Sequence, residues 1–163
     1  MDQSLLAAVG NAIAWIFAPL GWGSWQAAVA SITGLIAKEN IVGTMGILYP
    51  GKWPEIAAAF TQISGFSFLV FNLLCAPCFA AIGAIKREMN SGKWTLLAIG
   101  YQCALAYAVA LIVFQLGLMV SGVFNLWTAA ALLLLAGLIY LLVRPNPYDE
   151  HHLTRRIQRT KGA

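Results

Sequence analysis

The chain has 163 residues, of which 60% are hydrophobic and only 10% are charged, and its formal net charge is +4. Soluble domains carry about 25% charged residues, so this composition excludes an ordinary soluble domain and indicates an integral membrane protein. The sequence contains no G-x-x-x-x-G-K-[ST] phosphate loop, no HExxH motif and no Ser/His/Asp set. It therefore predicts no catalytic site, and in particular no nucleotide hydrolysis by the phosphate-loop route.

The first apolar segment, Leu5–Phe17, is too short to cross a bilayer, which takes about 20 residues. We predict a short helix that lies in the membrane interface and ends before Pro19 and Gly21. Trp22 and Trp25 follow, and both are expected at the level of the lipid headgroups, where amphipathic rings concentrate.

The second segment, Gln26–Tyr49, is long enough to span but carries Lys38, Glu39 and Asn40 near its centre. A charge at the bilayer centre costs on the order of 2.5–3.5 kcal/mol on insertion scales, which argues against a plain lipid-facing helix. A broken or re-entrant helix is predicted, and whether it crosses or turns back is left open. Glu39 is a candidate cation ligand with Lys38 as its counter-charge; the competing interpretation is that both residues only hold the bundle together.

A loop with a short helix that begins at Trp53 comes next, followed by three uncharged or nearly uncharged spans. These spans are predicted over Phe66–Ile85, Trp94–Gly117 and Phe124–Val143. Basic residues cluster after the first of them and again in the C-terminal tail, so the positive-inside rule places both regions in the cytoplasm. The same rule places the loop 50–65 outside and the C-terminus inside the cell.

The predicted fold class is therefore an all-α integral membrane protein. It is a polytopic helical bundle with a short interfacial helix, one broken or re-entrant helix and three further spanning helices. The predicted organisation is an interfacial helix and linker over 1–23, a transport segment over 24–117, a final transmembrane helix over 118–145 and a basic cytoplasmic tail over 146–163.

The third segment carries the sequence Cys-Ala-Pro-Cys near its midpoint. Pro77 is predicted to break the helix and to free a carbonyl of Phe71 or Leu74 as an oxygen ligand. Because they are three positions apart, Cys75 and Cys78 are predicted to share a helix face. Together the two thiols could contact a dehydrated Fe(II) or similar ion; the competing interpretation is that they are small packing residues.

Two interrupted segments with polar residues at similar depth are typical of a transport site. The candidate metal-contacting residues on this path are Cys78, Cys75, Glu39 and Asn40. Cys103, in the fourth segment, either completes a thiol cluster or packs. No structurally bound cofactor is expected.

The residues from Gly34 to Tyr49 fit the pattern G-x-x-A-K-E-x-x-V-x-T-[ML]-G-x-L-Y, and the Pro77-Cys78 step is followed by AIKRE and, in the next span, by Tyr-Gln. In these ordered motifs the chain resembles the second gate segment of the ferrous iron transport protein B (FeoB) family. The resemblance runs from about residue 4 to Gln115.

The resemblance implies the gate of a GTP-dependent Fe(II) uptake system in the bacterial inner membrane, with Cys78 on the iron path. Cys75 and Cys103 stand where the family commonly has other residues. Fe(2+) would be the transported substrate, and GTP would bind only to a missing domain or a partner chain. The implied partners are membrane lipid, an N-terminal G-domain and first-gate portion, and further copies of the chain, with no nucleic acid.

The resemblance also implies that this chain is a C-terminal part of such a transporter and has no enzymatic activity of its own. Two alternatives from other classes stay open at this point. One is a non-transporting membrane interaction or scaffold module, in which the cysteines only pack. The other is half of a nucleoside-type carrier, because gate segments of this kind recur in such carriers.

Overall fold

The computed structural model describes residues 5–34, 36–49 and 53–144. The predicted basic tail lies outside these residues. The helices are α1 (Leu5–Phe17), α2 (Trp25–Thr33), α3 (Asn40–Leu48), α4 (Trp53–Ala59), α5 (Gln62–Leu74), α6 (Phe79–Met89), α7 (Gly92–Val120) and α8 (Leu126–Val143), with a short 3-10 helix over Ala18–Leu20.

Within the described ranges, three helical stretches are long and apolar enough to cross a membrane: Gln62–Met89, Gly92–Val120 and Leu126–Val143. A fourth is reached if Leu5–Leu20 and Trp25–Thr33, which meet at an angle of 98°, count as one bent span. The all-α membrane bundle is thereby confirmed. The interfacial position of α1, the domain boundaries and the orientation in the membrane stay predictions.

The centre of the bundle is the pair α5 and α7, which pack along each other; α6 and α8 also contact α7, and α1 packs on α2. Aromatic rings fill the space between the N-terminal helices and α5. Phe17 stacks on Trp22 with 4.4 Å between ring centroids, and Phe68 and Phe71 approach the indole at 5.0 and 5.4 Å. Such ring pairs add to the free energy gained from burial alone.

Trp22 is the first correction to the sequence-based expectation. It is only 2% exposed and lies in the aromatic core, so its indole packs against other side chains and not against lipid headgroups as expected. The preceding Gly21 has a left-handed backbone with φ of 86°, a conformation that suits glycine, and it turns the chain so that the indole faces inwards. Trp25 is half-buried, and its headgroup position stays a prediction.

Buried polar side chains tie the long helices together. Ser67 donates to the carbonyl of Ala110 at 3.0 Å and so links α5 to α7. Gln115 on α7 donates to the carbonyl of Pro19 at 3.0 Å and accepts from Thr128 on α8 at 3.2 Å. These bonds matter because backbone and side-chain polar groups inside a bilayer have no water to replace a lost partner.

The second segment folds back on itself. The Ser24 hydroxyl, just before α2, lies 3.3 Å from the Tyr49 hydroxyl, just after α3, and the Thr33 and Thr44 hydroxyls are 3.1 Å apart. If α2 and α3 were collinear, their outer ends would be at least ~25 Å apart at 1.5 Å per residue. The two helices therefore form a hairpin, called here the re-entrant hairpin (Trp25–Leu48), whose tip includes residues 36–39. The predicted break is confirmed, and the chain turns back on itself there; the position of the hairpin in the membrane stays a prediction.

The hairpin packs tightly around a glycine at its bend. A β-carbon on Gly34 would lie 2.6 Å from Cγ1 of Ile41 and 3.2 Å from the carbonyl oxygen of Ser31. We expect Gly34→Ala to lower the free energy of unfolding by about 1–3 kcal/mol, the usual cost of overpacking. The matched control is Gly46→Ala in α3, because no atom lies within 4 Å of a β-carbon placed there.

That control should be neutral or should raise stability by up to about 1 kcal/mol, because alanine is the better helix former. Denaturation of the two variants in detergent micelles, followed by circular dichroism, measures both effects. Equal changes in stability for the two variants would show that the approach of Ile41 to Gly34 does not constrain the bend.

Candidate functional site

The candidate site begins with a break in the 28-residue helical stretch Gln62–Met89. Helix α5 ends at Leu74, and Cys75 and Cys78 have extended backbones with ψ of 168° and 161°. Pro77 explains why the helix stops here, because it lacks an N–H group and disfavours helical geometry at Ala76, the residue before it. The break, called here the α5–α6 break (Cys75–Cys78), confirms the predicted interruption at Pro77.

The same geometry corrects the relation between the two cysteines. They were expected three positions apart on one helix face, but the chain between them is not helical. The expectation fails because the i, i+3 rule holds only where the backbone stays helical through both residues. Cys75 is buried and Cys78 is half-buried, and each has its own set of neighbours.

The carbonyls near the break differ in part from the prediction. The carbonyl of Phe71 is not free, because it accepts the backbone N–H of Cys75 at 2.8 Å. In a continuous helix the N–H of residue 77 would bond to the carbonyl of residue 73. Proline cannot make that bond, and the backbone is not helical from Cys75 to Cys78, so the carbonyls of Leu73 and, as predicted, Leu74 both lack their helical donors.

Lys38, at the tip of the re-entrant hairpin, supplies the missing donor. Its ammonium nitrogen donates to the carbonyl of Leu73 at 2.8 Å and lies 3.5 Å from that of Cys75. A cation at this place is doubly favourable, because the last turn of a helix carries free carbonyls and the negative end of the helix dipole. Sequence reasoning missed this contact; counting back four residues from Pro77 would have pointed to Leu73, but not to Lys38.

The hairpin tip and the α5–α6 break line an open cavity of about 280 Å³. It is lined by Ala37, Lys38, Glu39, Pro77 and Cys78. The structure thus brings together two of the predicted site residues, the exposed carboxylate of Glu39 and the half-buried thiol of Cys78.

The other two predicted site residues lie elsewhere. Asn40 is exposed at the start of α3. The sulfur of Cys75 is 3.7 Å from the sulfur of Cys103 on α7. Cys103 is half-buried, so this thiol pair is a separate feature from the cavity.

The described part of the chain holds no group of three or more His, Cys, Asp or Glu side chains close enough to bind one metal ion. The cavity therefore offers an ion one oxygen donor and one sulfur donor from side chains. An ion held by so few protein ligands can exchange, unlike zinc in a structural site, where four protein ligands complete the coordination.

Comparison with known proteins agrees with these features. The family model described as "Gate: Nucleoside recognition" matches residues 1–92. No solved structure matches the chain.

Three relatives show the range of the similarity. The chain is 39% identical over 121 residues to the Fe(2+) transporter FeoB of Staphylococcus aureus (strain COL) and 40% identical over 120 residues to that of Methanocaldococcus jannaschii. These alignments cover 72% and 71% of this chain but 18% of each relative. A fusion of Fe(2+) transport protein A with FeoB from Porphyromonas gingivalis (strain ATCC BAA-308 / W83) is 29% identical over 137 residues, 72% of this chain and 16% of the fusion protein.

The chain thus spans about a fifth of the length of the curated relatives that it matches. The Gate model nevertheless covers more than half of the chain, and it includes both the hairpin tip and the α5–α6 break. The chain therefore belongs to the Gate family of membrane domains and, within it, to the ferrous iron transport protein B (FeoB) family.

Proposed function

We propose that this chain is a permease module that forms part of the path of Fe(II) through the membrane. The observation that carries the proposal is the meeting of the hairpin tip with the α5–α6 break, where Glu39 and Cys78 line one cavity. Relatives of the chain are named Fe(2+) transporters, which supports Fe(II) as the ion.

The chemistry of the cavity fits a divalent transition-metal ion in transit. Thiol and carboxylate donors differ in softness, and first-row divalent ions accept both kinds of ligand. Cys75 and Pro77 lie at the middle of a helical stretch long enough to span, so the cavity is expected near the bilayer midplane. Transporters place such sites where helices are interrupted, since the interruption exposes polar groups at that depth.

The module is proposed to work with a GTP-binding G domain and a first gate, supplied by another part of the transporter or by a partner chain. We place it in the bacterial inner membrane with the C-terminus in the cytoplasm. The exposed Lys86 and Arg87, in the last turn of α6, support a cytoplasmic position for that helix end. Lipid and further copies of the chain are the remaining proposed partners.

The test replaces the two donors of the cavity without changing their size. We expect Cys78→Ser and Glu39→Gln each to lower Fe(II) uptake by ~10-fold or more, a loss comparable with that caused by disturbing a metal's ligand environment. Radiolabelled Fe(II) uptake is measured in bacteria that lack their own Fe(II) transporter and carry the complete transporter containing this segment.

The matched control is Cys103→Ser, which removes a thiol outside the cavity. It should leave uptake within about twofold of the unsubstituted transporter, since ordinary substitutions away from a site change little. Unchanged uptake in both Cys78→Ser and Glu39→Gln would contradict the proposed path. It would favour the non-transporting scaffold module, whose spans only dock on a larger assembly.

The matching family model is described by nucleoside recognition, which makes a nucleoside carrier the second candidate. Pockets for drug-sized molecules usually measure about 300–1,000 Å³ and contain aromatic side chains. This cavity is slightly below that range at about 280 Å³, and none of its lining residues is aromatic. An ion is therefore the better fit to this cavity, whereas a larger cavity of about 580 Å³, with Trp53, Phe60 and Phe68 in its lining, has the size and aromatic content of a small-molecule pocket. Competition of unlabelled nucleosides with Fe(II) uptake distinguishes the two cargoes.

A further inference from the structure

We infer that Cys75 and Cys103 form a second metal site, separate from the Fe(II) path, that binds a soft, thiophilic cation such as Cu(I). The site joins the α5–α6 break to the middle of α7. It does not depend on the proposed function, because it uses neither Glu39 nor Cys78.

The first argument is distance. The two sulfur atoms are 3.7 Å apart and come from different helices. Zinc–thiolate bonds are about 2.3 Å long, so two sulfurs on one tetrahedral ion lie ~3.8 Å apart. The thiols are therefore within reach of a single ion, and a linear two-coordinate ion with bonds of the same length, ~4.6 Å across, requires them to move apart by less than ~1 Å.

The second argument is the choice of ion. Thiolates select soft ions such as Cu(I) and Zn(II) over harder divalent ions. Among the described residues no third His, Cys, Asp or Glu side chain joins the pair. Cu(I) is stable with two thiolate ligands, whereas zinc in structural sites takes four. The pair thus fits Cu(I) better than zinc.

The third argument is charge. Binding of Cu(I) replaces both thiol protons, so two thiols and one Cu(I) give a bis-thiolate complex of charge −1 and release two protons. The ammonium nitrogen of Lys38 lies 3.5 Å from the backbone carbonyl oxygen of Cys75 and so brings a positive charge close to that residue. A buried negative charge is costly unless such a partner stands nearby.

The two thiols also differ in access. Cys75 is 9% exposed, which keeps water from competing for the ion, and Cys103 is half-buried, which leaves a way in for it. Cys78 lines the cavity at the hairpin tip instead. Cys78, which lies outside the pair, is therefore the control for Cu(I) binding by any thiol of the chain.

The experiment uses the full chain, purified anaerobically in detergent, and Cu(I) as the probe. Cu(I) is titrated against a coloured Cu(I) chelator, and thiolate-to-copper charge-transfer absorbance gives a second readout. We expect one Cu(I) per chain. Cys103→Ser should lower the affinity for Cu(I) by at least ~100-fold, because losing a direct ligand costs more than losing a residue that only supports a ligand, which costs ~10–100-fold.

Cys78→Ser should bind Cu(I) as tightly as the unsubstituted chain. Cys75→Ala serves as a second variant, and size-exclusion chromatography shows whether each variant keeps its fold. The proposal is overturned if Cys103→Ser binds as the unsubstituted chain does. It is equally overturned if Cys78→Ser loses as much affinity as Cys103→Ser. The Cu(I) measurement is independent of the proposed function. If Fe(II) uptake did not depend on Cys78, the expected Cu(I) affinities would be the same.

Discussion

Replacing Lys38 with methionine is expected to lower the free energy of unfolding by about 1–2 kcal/mol, the range for a charged hydrogen bond between membrane helices. Methionine keeps the length and flexibility of the side chain but cannot donate to the carbonyls of Leu73 and Cys75. The carbonyl of Leu73 then has neither its helical donor nor the ammonium group. Unfolding of the purified chain in detergent mixtures, followed by circular dichroism, measures the loss.

A double-mutant cycle with Pro77→Ala tests the reason for this effect. Alanine at position 77 restores an N–H group that can bond to the carbonyl of Leu73 as in a continuous helix. Lys38→Met should therefore cost less in the Pro77→Ala background than in the unsubstituted chain, with a coupling of about 1 kcal/mol. Identical costs in both backgrounds would show that Lys38 does not replace the donor that proline lacks.

Lys86→Met is the matched control for charge. Lys86 is exposed in the last turn of α6, at the end of the same broken span. Its replacement should change stability by no more than about 0.5 kcal/mol, as is usual for surface positions. A comparable loss from both lysines would point to a general effect of removing positive charge.

Gln115→Leu is expected to cost about 2–3 kcal/mol, because each polar group left unpaired in a bundle interior costs on the order of 1–3 kcal/mol. The change removes the donor to the carbonyl of Pro19 and the acceptor for the hydroxyl of Thr128. Thr128 also accepts the backbone N–H of Asn125 at 3.1 Å, as part of the capping box that starts α8. One substitution thus loosens the 3-10 helix and the start of α8 together.

The control for this prediction is Gln102→Leu. Gln102 lies on the same helix, but its side chain is exposed. The same substitution there should be close to neutral, or stabilising if the position faces lipid. Denaturation curves of the two variants give the comparison, and a loss at Gln115 no larger than at Gln102 would mean that the buried network contributes nothing to stability.

Local signals predicted much of the fold. Continuous apolar runs in the sequence correctly predicted all three spanning stretches. The stretch predicted to begin at Phe66 begins earlier in the structure, at Gln62. The earlier start follows from Thr61, whose hydroxyl accepts the backbone N–H of Ser64 and caps the helix. Pro77 and the charged residues of the second segment correctly predicted two interruptions, because each conflicts with a continuous lipid-facing helix.

Contacts between distant segments could not be predicted in this way. The burial of Trp22 depends on its aromatic partners in α5, and the partner of Lys38 lies 35 residues further along the chain. Cys75 and Cys103 are likewise brought together only by the packing of α5 on α7. Composition and spacing specify which residues are unusual, whereas tertiary packing decides which of them meet.

The Lys38 contact also sets an order for biogenesis. A ribosome makes the hairpin well before Leu73 and Cys75, so the ammonium group at its tip enters the membrane environment without its carbonyl partners. We expect the hairpin tip to reach its final contacts only after the stretch Gln62–Met89 has been inserted and has broken at Pro77, because Leu73 and Cys75 supply the acceptors for Lys38. The insertion of a later span thus completes the placement of an earlier hairpin, and we expect a nascent chain halted before Leu73 to lack the contacts that hold the tip in place.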